Sequence, residues 1–375
     1  MKEKIAIIGA NEAITMLINK AKDMGYETHV FAWQCGDPGE KEADYFYPIS
    51  INKKEEILEM CREIGIVGIC SITSDYASPT VNYVARNMGL ICNPESSEYL
   101  ARDKYLMRKA FKDNGIYTPQ FIEVEKLEEV DLSGFEYPLI VKPTDRWSSK
   151  GVCRVNSYAE LKEAIDIAVN ESFNKKAIVE EFIYGDEYSA ECICQNGEYH
   201  IIAFTKKFTT GYPHYIETGH IQPVTMLEDA KEVYSQTLFK ALKALNIYNG
   251  AAHIEFKIMK DGEIGIIEIG ARMGGDCIGT YLTQLSSGMD YIKMVIDVAC
   301  GKKLVLTPAI EKRCVGIRFI LDESDLNDLR ALSDKKIIKK VIYDYDFSRD
   351  VVDSNTRHGY YIMELEDEKS CSIWQ

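Results

Sequence analysis

A chain of 375 residues is too long for one ordinary hydrophobic core and long enough for two or three. Hydrophobic residues at 46% and charged residues at 27% are the balance of a folded globular protein and exclude a disordered or fibrous one. With 59 acidic residues against 44 basic ones the net charge is −15, which opposes any broad grip on nucleic acid or anionic lipid.

Any basic residues that bind phosphate must therefore be local. The first residues offer only Ile5-Ala6-Ile7-Ile8 before Gly9, too short for a signal-peptide core. No stretch approaches the roughly 18 apolar residues of a membrane span, so the sequence reads as cytoplasmic, with no membrane partner. Eleven cysteines lie scattered without a CxxC pair and read as thiols of a reducing compartment. Cys192 and Cys194, two apart, share one face of a probable strand.

The first hundred residues alternate short apolar runs with helical patterns. Strands are predicted at Lys4 to Ile8, Tyr26 to Trp33 and Ile66 to Ile72, and helices to Met24, from Lys53 and to Met88. That is the βαβ rhythm of a doubly wound parallel sheet. Gly9 follows the first strand and Asn11 can cap the next helix, but GxGxxG is absent, so a nicotinamide site there has weak support. Asn93-Pro94-Glu95 breaks the pattern and sets a boundary near residue 95. A charged helix is predicted from Ser97 to Asn114, closed by Gly115.

From Pro138 strands outnumber helices, which predicts antiparallel sheets. They run at Leu139 to Lys142, Val152 to Val155, Ala177 to Phe182, Tyr188 to Cys194 and His200 to Phe208, with helices at Ser157 to Asn170 and Leu227 to Leu245. A last segment of about 70 residues follows Cys300, with strands at Val315 to Ile320 and Tyr360 to Glu364.

Residues 251 to 269 read AAHIEFKIMKDGEIGIIEI, and Asp261-Gly262 between two alternating runs signals a hairpin. A two-residue turn there places Met259 opposite Ile264, Lys257 opposite Ile266 and Glu255 opposite Glu268. One face then carries Ile254, Phe256, Ile258, Ile267 and Ile269 toward a core; the other carries His253, Glu255, Lys257, Glu268, Gly270 and Arg272. Two carboxylates about 5 Å apart at Cβ repel unless something positive lies between them. A hard divalent cation such as magnesium answers that, and so does a solvated strand face neutralised by Lys257.

Lys142 ends the run Leu139-Ile140-Val141, either as a surface lysine or as a point charge aimed at a phosphate. The following loop, Thr144 to Gly151, is either a plain turn or a phosphate cradle of hydroxyls and backbone N–H groups. Val179 to Glu187 is either an acidic turn or a purine site, with the backbone of Glu181 and Ile183 at the base and Glu187 at the ribose.

Together, Arg102-Asp103-Lys104, the VKP at 141 to 143, the serine-rich loop, VEEF at 179 to 182 with Glu187, Glu255 and the EIGARMGG at 268 to 275 resemble the ATP-grasp superfamily in order and spacing. The resemblance covers nearly the whole chain. It implies an N-terminal α/β domain at 1–95 and an ATP-grasp fold at 96–300, whose two subdomains, about 115–185 and 186–300, clasp ATP. A small C-terminal accessory domain at 301–375 completes the implied α/β and α+β architecture.

By position, the resemblance implies that Lys104 and Lys142 contact ATP phosphates and that Ser148, Ser149, Lys150 and Gly151 form the phosphate loop. Glu181 and Ile183 would meet adenine and Glu187 the ribose, with Glu180 and Phe182 also among the ATP-binding residues. Glu255 and Glu268 would hold Mg2+ or Mn2+. Arg272, with Lys142, would serve the transferred phosphoryl group. Gly270 stands where many members have Asn, so one side-chain metal ligand is missing and water or Asp276 would substitute. The phosphate loop has Gly151 alone where relatives have several glycines.

Thr209 to Pro223, reading TTGYPHYIETGHIQP, and RMGGD at 272 to 276 look similar to ligases that join amino acids through an amide bond. Tyr212, His214, Glu217, His220, Arg272, Gly275 and Asp276 are then candidates for the substrate pocket. The implied reaction activates a small-molecule carboxylate as an acyl phosphate and transfers it to an amine, with no nucleic acid involved and a homodimer as the assembly. Rival readings are other ATP-grasp chemistry, such as carboxylation or carbamoyl phosphate formation, and a module that binds ATP without turnover.

Overall fold

The computed structural model describes residues 2–127, 130–147, 149–212, 215–332 and 336–369. Ser148 and His214 lie outside them. Within the described residues no helix is long and apolar enough to cross a membrane.

The N-terminal strands β1 (Lys4–Ile8), β2 (Glu27–Phe31), β3 (Tyr45–Tyr47) and β4 (Gly68–Cys70) form a parallel sheet in the order β3-β2-β1-β4. β1 has four consecutive buried residues, as a strand covered on both faces requires. Helices at Glu12–Asp23 and Tyr291–Ala299 cover one face, and those at Lys54–Ile64 and Ser78–Met88 the other. Asn11 caps the first of these helices, its side chain accepting from the Ile14 N–H at 3.1 Å. The short β3 was not anticipated; its three residues are too few to show a period.

A smaller antiparallel sheet follows: β5 (Phe121–Val124), β6 (Leu139–Pro143), β7 (Cys153–Val155) and β8 (Ala177–Glu181), in the order β5-β8-β6-β7. The helix Tyr158–Glu171 packs its apolar side on it.

The large sheet has eight antiparallel strands. They are β9 (Asp186–Gln195), β10 (Glu198–Thr209), β11 (Glu217–Gln222), β12 (Gly250–Ile258), β13 (Ile264–Gly270), β14 (Cys314–Ile320), β15 (Ile337–Ile342) and β16 (Gly359–Leu365). Their order is β13-β12-β9-β10-β11-β14-β16-β15, so the residues after 300 add strands to this same sheet. Helices Lys104–Asp113 and Lys231–Ala244 bury their apolar faces against it.

Three expectations need correction. The helix expected over 97 to 114 is two, Glu95–Leu100 and Lys104–Asp113, because Asp103 caps the second by accepting from the Leu106 N–H at 2.9 Å. The helix expected from Leu227 is likewise divided, into Thr225–Asp229 and Lys231–Ala244. Thr209 to Pro223, in which no strand is predicted, contains β11, which places Glu217 and His220 on a strand.

The hairpin β12–β13 differs in one instructive way. Its turn is three residues, not two: the Met259 N–H donates to Glu263 O at 2.9 Å, and Gly262 sits at φ +86. That shift pairs Ile258 with Ile264 and Phe256 with Ile266, but a bulge follows and Glu255 again opposes Glu268. Ile266, expected opposite Lys257, opposes Phe256 and is buried, while the bulge residue Ile267, expected in the core, lines the site cavity instead.

Gly185 joins β8 to β9 at φ +141, where a Cβ would stand 2.1 Å from the Ile258 carbonyl oxygen. Gly185→Ala is expected to lower stability by at least about 1–3 kcal/mol, read as a fall in Tm. An unchanged melt would show that the β9–β12 contact yields freely.

Candidate active site between the two antiparallel sheets

A cavity opens between the small and the large sheet. Lys142 reaches it from the end of β6, and Glu180 from the end of β8, where register sets Ile140 opposite Glu180. Lys104 and Arg108 enter from the helix at 104–113. Glu187, Glu255 and Glu268 come from the large sheet, and Arg146, Ser149 and Lys150 from the loop after β6.

The charges here are paired with care. Arg108 is buried and forks onto Glu180, with Nε and Nη2 donating at 2.8 and 3.2 Å. Its other N–H groups donate to the Ile266 and Ile267 carbonyls at 2.8 and 3.1 Å, holding the bulge. Lys142 Nζ donates to Glu180 at 2.5 Å. Burial alone would raise the Glu180 pKa, but Arg108 and Lys142 outweigh it and hold the carboxyl at about 2. Burial also pulls the Lys142 ammonium below its ordinary range. Glu180 is thus an internal counter-ion, and the part of VEEF left for a ligand is Glu181, Phe182 and Ile183, all of which line the cavity.

The opposed carboxylates each hold a lysine. Lys104 lies 3.0 Å from Glu268 and also donates to the Arg146 carbonyl at 2.5 Å. Lys207, on β10, sits 2.6 Å from Glu255, 3.5 Å from Glu187 and 3.8 Å from Glu217. Burial opposes charge on Glu255, yet Lys207 and His253 hold its carboxyl well below the usual range. Those three carboxylates likewise raise the Lys207 ammonium against its burial. His253 bridges Glu255, at 3.1 Å, and the buried Glu191, whose carboxylate accepts from the Gly274 N–H at 3.0 and 3.1 Å.

The loop after β6 turns through Ser149 at φ 55 and Gly151 at φ 68, and Gly151 packs beside Pro143 and Glu171. Trp147 rests against Tyr76 of the N-terminal unit with ring centroids 4.6 Å apart.

A second cavity of about 380 Å3 continues from the first, and Arg272, Lys207 and Glu255 line both. Arg272 donates to Asp75 at 3.1 Å and to the Met273 carbonyl at 3.1 Å. That pair occupies the space above Gly270: a Cβ there would meet the guanidinium at 3.1 and 3.2 Å and Asp75 at 3.3 Å. Glu217, His220, Gly275 and Asp276 line this second cavity as expected for a shared pocket, together with Asp75, Ser354 and Arg357. Arg357 grips Asp276 at 2.6 and 3.1 Å, so Asp276 faces this guanidinium and not the Glu255–Glu268 pair. Tyr212 does not join them; it is exposed and lies 5.7 Å from the Arg154 guanidinium. Tyr215 lines the first cavity instead.

Sequence reasoning missed Arg108, Lys207, Asp75 and Arg357. Lys207 had one signal: Glu187, Glu217 and Glu255 on neighbouring strands need a counter-charge. Asp75 and Arg357 lie about two hundred and eighty residues apart in sequence, and only folding reveals their meeting near Arg272 and Asp276.

Residues 135–280 match the family model described as the ATP-grasp domain. The chain is 31% identical over 300 residues to the alanine–anticapsin ligase of Bacillus subtilis (strain 168), a match covering 70% of this chain and 62% of that protein. The chain thus spans about three-fifths of that relative's length. It is 25% identical over 239 residues to the D-alanine–D-alanine ligase A of Bacillus cereus, covering 60% of this chain and 76% of that one. It shares its fold with the crystal structure of an L-amino acid ligase from Bacillus licheniformis: TM-score 0.83, 22% identity, 100% of this chain and 96% of that chain.

Proposed function

We propose, from the ATP-grasp domain that this chain carries at residues 135–280, that the protein is an ATP-dependent carboxylate–amine ligase. One observation carries the reading: a cavity with paired lysines and opposed carboxylates opens into a polar second cavity, and Arg272, Lys207 and Glu255 stand in both walls. Phosphoryl donor and acceptor can then meet beside the same three side chains. Units bounded near residues 95 and 300 and small amino acid-like substrates belong to this reading; the ligase relatives support it.

Lys104 and Lys142 bind ATP phosphates, Ser149 and Lys150 cover them, the Glu181–Ile183 backbone meets the base, and Glu187 takes ribose hydroxyls. Glu255 and Glu268 fit a hard cation by their chemistry: all donors are oxygens, and each carboxylate now draws a lysine. Among the described residues no larger group of carboxylate, imidazole or thiol ligands gathers, so Glu255 and Glu268 would be the side chains that hold the cation, with water and phosphate oxygens as its other ligands. Magnesium or manganese held there would offset charge on the phosphates.

The substrate carboxylate attacks the γ-phosphorus of ATP; the bond to the bridging oxygen breaks and ADP leaves, giving an acyl phosphate. Lys142, Lys207 and Arg272 surround the transferred group with fixed positive charge. The amine then adds to the acyl carbon and inorganic phosphate departs, leaving an amide and releasing one proton. Asp75 and the Met273 carbonyl hold the Arg272 guanidinium beside the reacting carbon.

The test is ADP and phosphate release with single and paired amino acids. Release that needs both an acid and an amine, with an amide of matching mass, is the expected result. Bicarbonate-driven release without an amine, or nucleotide binding with no release for any pair, would sink the proposal.

A further inference from the structure

Beyond the second cavity lies a third of about 520 Å3. The two share Thr73, Gly275, Asp276, Ser354, Asn355 and Arg357, so they are chambers of one cleft divided by the Asp276–Arg357 ion pair. The outer chamber shares no lining residue with the nucleotide cavity. The order outward from the phosphates is therefore nucleotide, inner chamber, ion pair, outer chamber.

Resting on the ligase reading, we infer that the amine substrate is a peptide-like chain, its reacting amine in the inner chamber and its far end in the outer one. Direction decides which substrate extends. The acid's carboxylate attacks the γ-phosphorus in line, so the acyl carbon lies beyond that phosphate as seen from ADP; an amine adding to a face of this carbon enters from the part of the cleft away from ADP, where the outer chamber opens.

Size and chemistry decide its class. Each chamber alone falls within the roughly 300–1,000 Å3 that encloses a drug-sized ligand, more than one small amino acid fills. The outer walls carry uncharged polar groups, Asn11, Thr280 and Asn355, among the rings of Tyr281, Tyr343 and Tyr360. Its lysine is already engaged: Lys339 donates to Glu12 at 2.5 Å and to the Tyr281 hydroxyl at 2.8 Å. Paired charge argues against a phosphate ligand, and the amides and hydroxyls argue against an acyl tail. A polypeptide backbone suits such walls.

The dividing loop is itself built under constraint. Asp276 and the next residue, Cys277, both have positive φ, at 50 and 62, a cost that packing sustains around sites. Behind Asp276, His220 is fully buried, its two ring nitrogens lack hydrogen-bond partners, and Nε2 stands 3.8 Å from the Asp276 carboxylate. That imidazole is an unused polar group in the inner wall, where the reacting amine would lie.

The full chain with ATP, magnesium and a small amino acid as the acid tests this, using single amino acids, dipeptides and tripeptides as amines. ADP release and product mass are read. The wild type is expected to show kcat/KM about tenfold or more higher for tripeptides than for single amino acids. Ala13 lines only the outer chamber; Ala13→Trp should erase that preference while kcat/KM for single amino acids stays within about twofold. Tyr343, an exposed outer wall, offers a second variant in Tyr343→Ala, which should weaken tripeptide use alone. A wild type that prefers single amino acids, or variants that change both acceptor classes equally, overturns the inference and leaves the ligase reading standing. No ADP release with any pair overturns both.

Discussion

Glu268→Ala is expected to cut amine-dependent ADP release at least about a hundredfold while leaving the fold intact. On the proposed reading, a cation at the phosphates would supply several kcal/mol of charge stabilisation, and this carboxylate would be half of the protein's share in holding it. Loss of structure would not mimic the effect, because Glu268 is only partly buried and Lys104 keeps its bond to the Arg146 carbonyl. The check is a magnesium titration of ADP release together with a thermal melt. Full activity at low magnesium in the variant would remove Glu268 from the site. The companion change, Glu255→Ala, should act similarly, since Lys207 retains Glu187 and Glu217 as partners.

Glu180→Ala is expected to be the most destabilising single change at this site, by about 3–5 kcal/mol, because it strands two cations in a buried place. Arg108 and Lys142 would then repel each other with no anion between them. The same carboxylate sets an acid limit. Its pKa falls from 4.5 in the unfolded chain to about 2 in the folded one. The folded state therefore binds fewer protons, and this stability is present above pH 4.5 and lost as pH falls toward 2. Urea titrations of wild type and Glu180→Gln at neutral pH and across that window would show it. A variant whose stability declines with acid as steeply as the wild type would contradict the account.

Much of the site was legible because it is local. The Asp261-Gly262 turn and simple alternation placed Glu255 opposite Glu268, and the structure has them paired. They arrive there by another route, a three-residue turn offset by one extra residue at Ile267, and alternation has no means of showing two compensating shifts. Asp103 is of a residue type that caps helices, but the charged pattern from Ser97 runs on through it and hides the break. The signal for Lys207 is of a different kind: burying a lysine is explicable only once acids from three strands are placed around it. Arg357 lies 77 residues beyond the end of the family match at 280, and its grip on Asp276 is a matter of tertiary placement alone.

The bulge in the hairpin has an effect on the opposite side of the cavity. Ile267, on the large sheet, and Ile140, on the small one, line the same cavity, so its aliphatic walls come from two different sheets. On the proposed reading, a flat base filling that cavity would touch both, and its binding energy would become cohesion between the two sheets. Occupancy and sheet spacing are then thermodynamically linked: whatever draws the sheets together tightens the nucleotide, and the nucleotide in turn resists their parting.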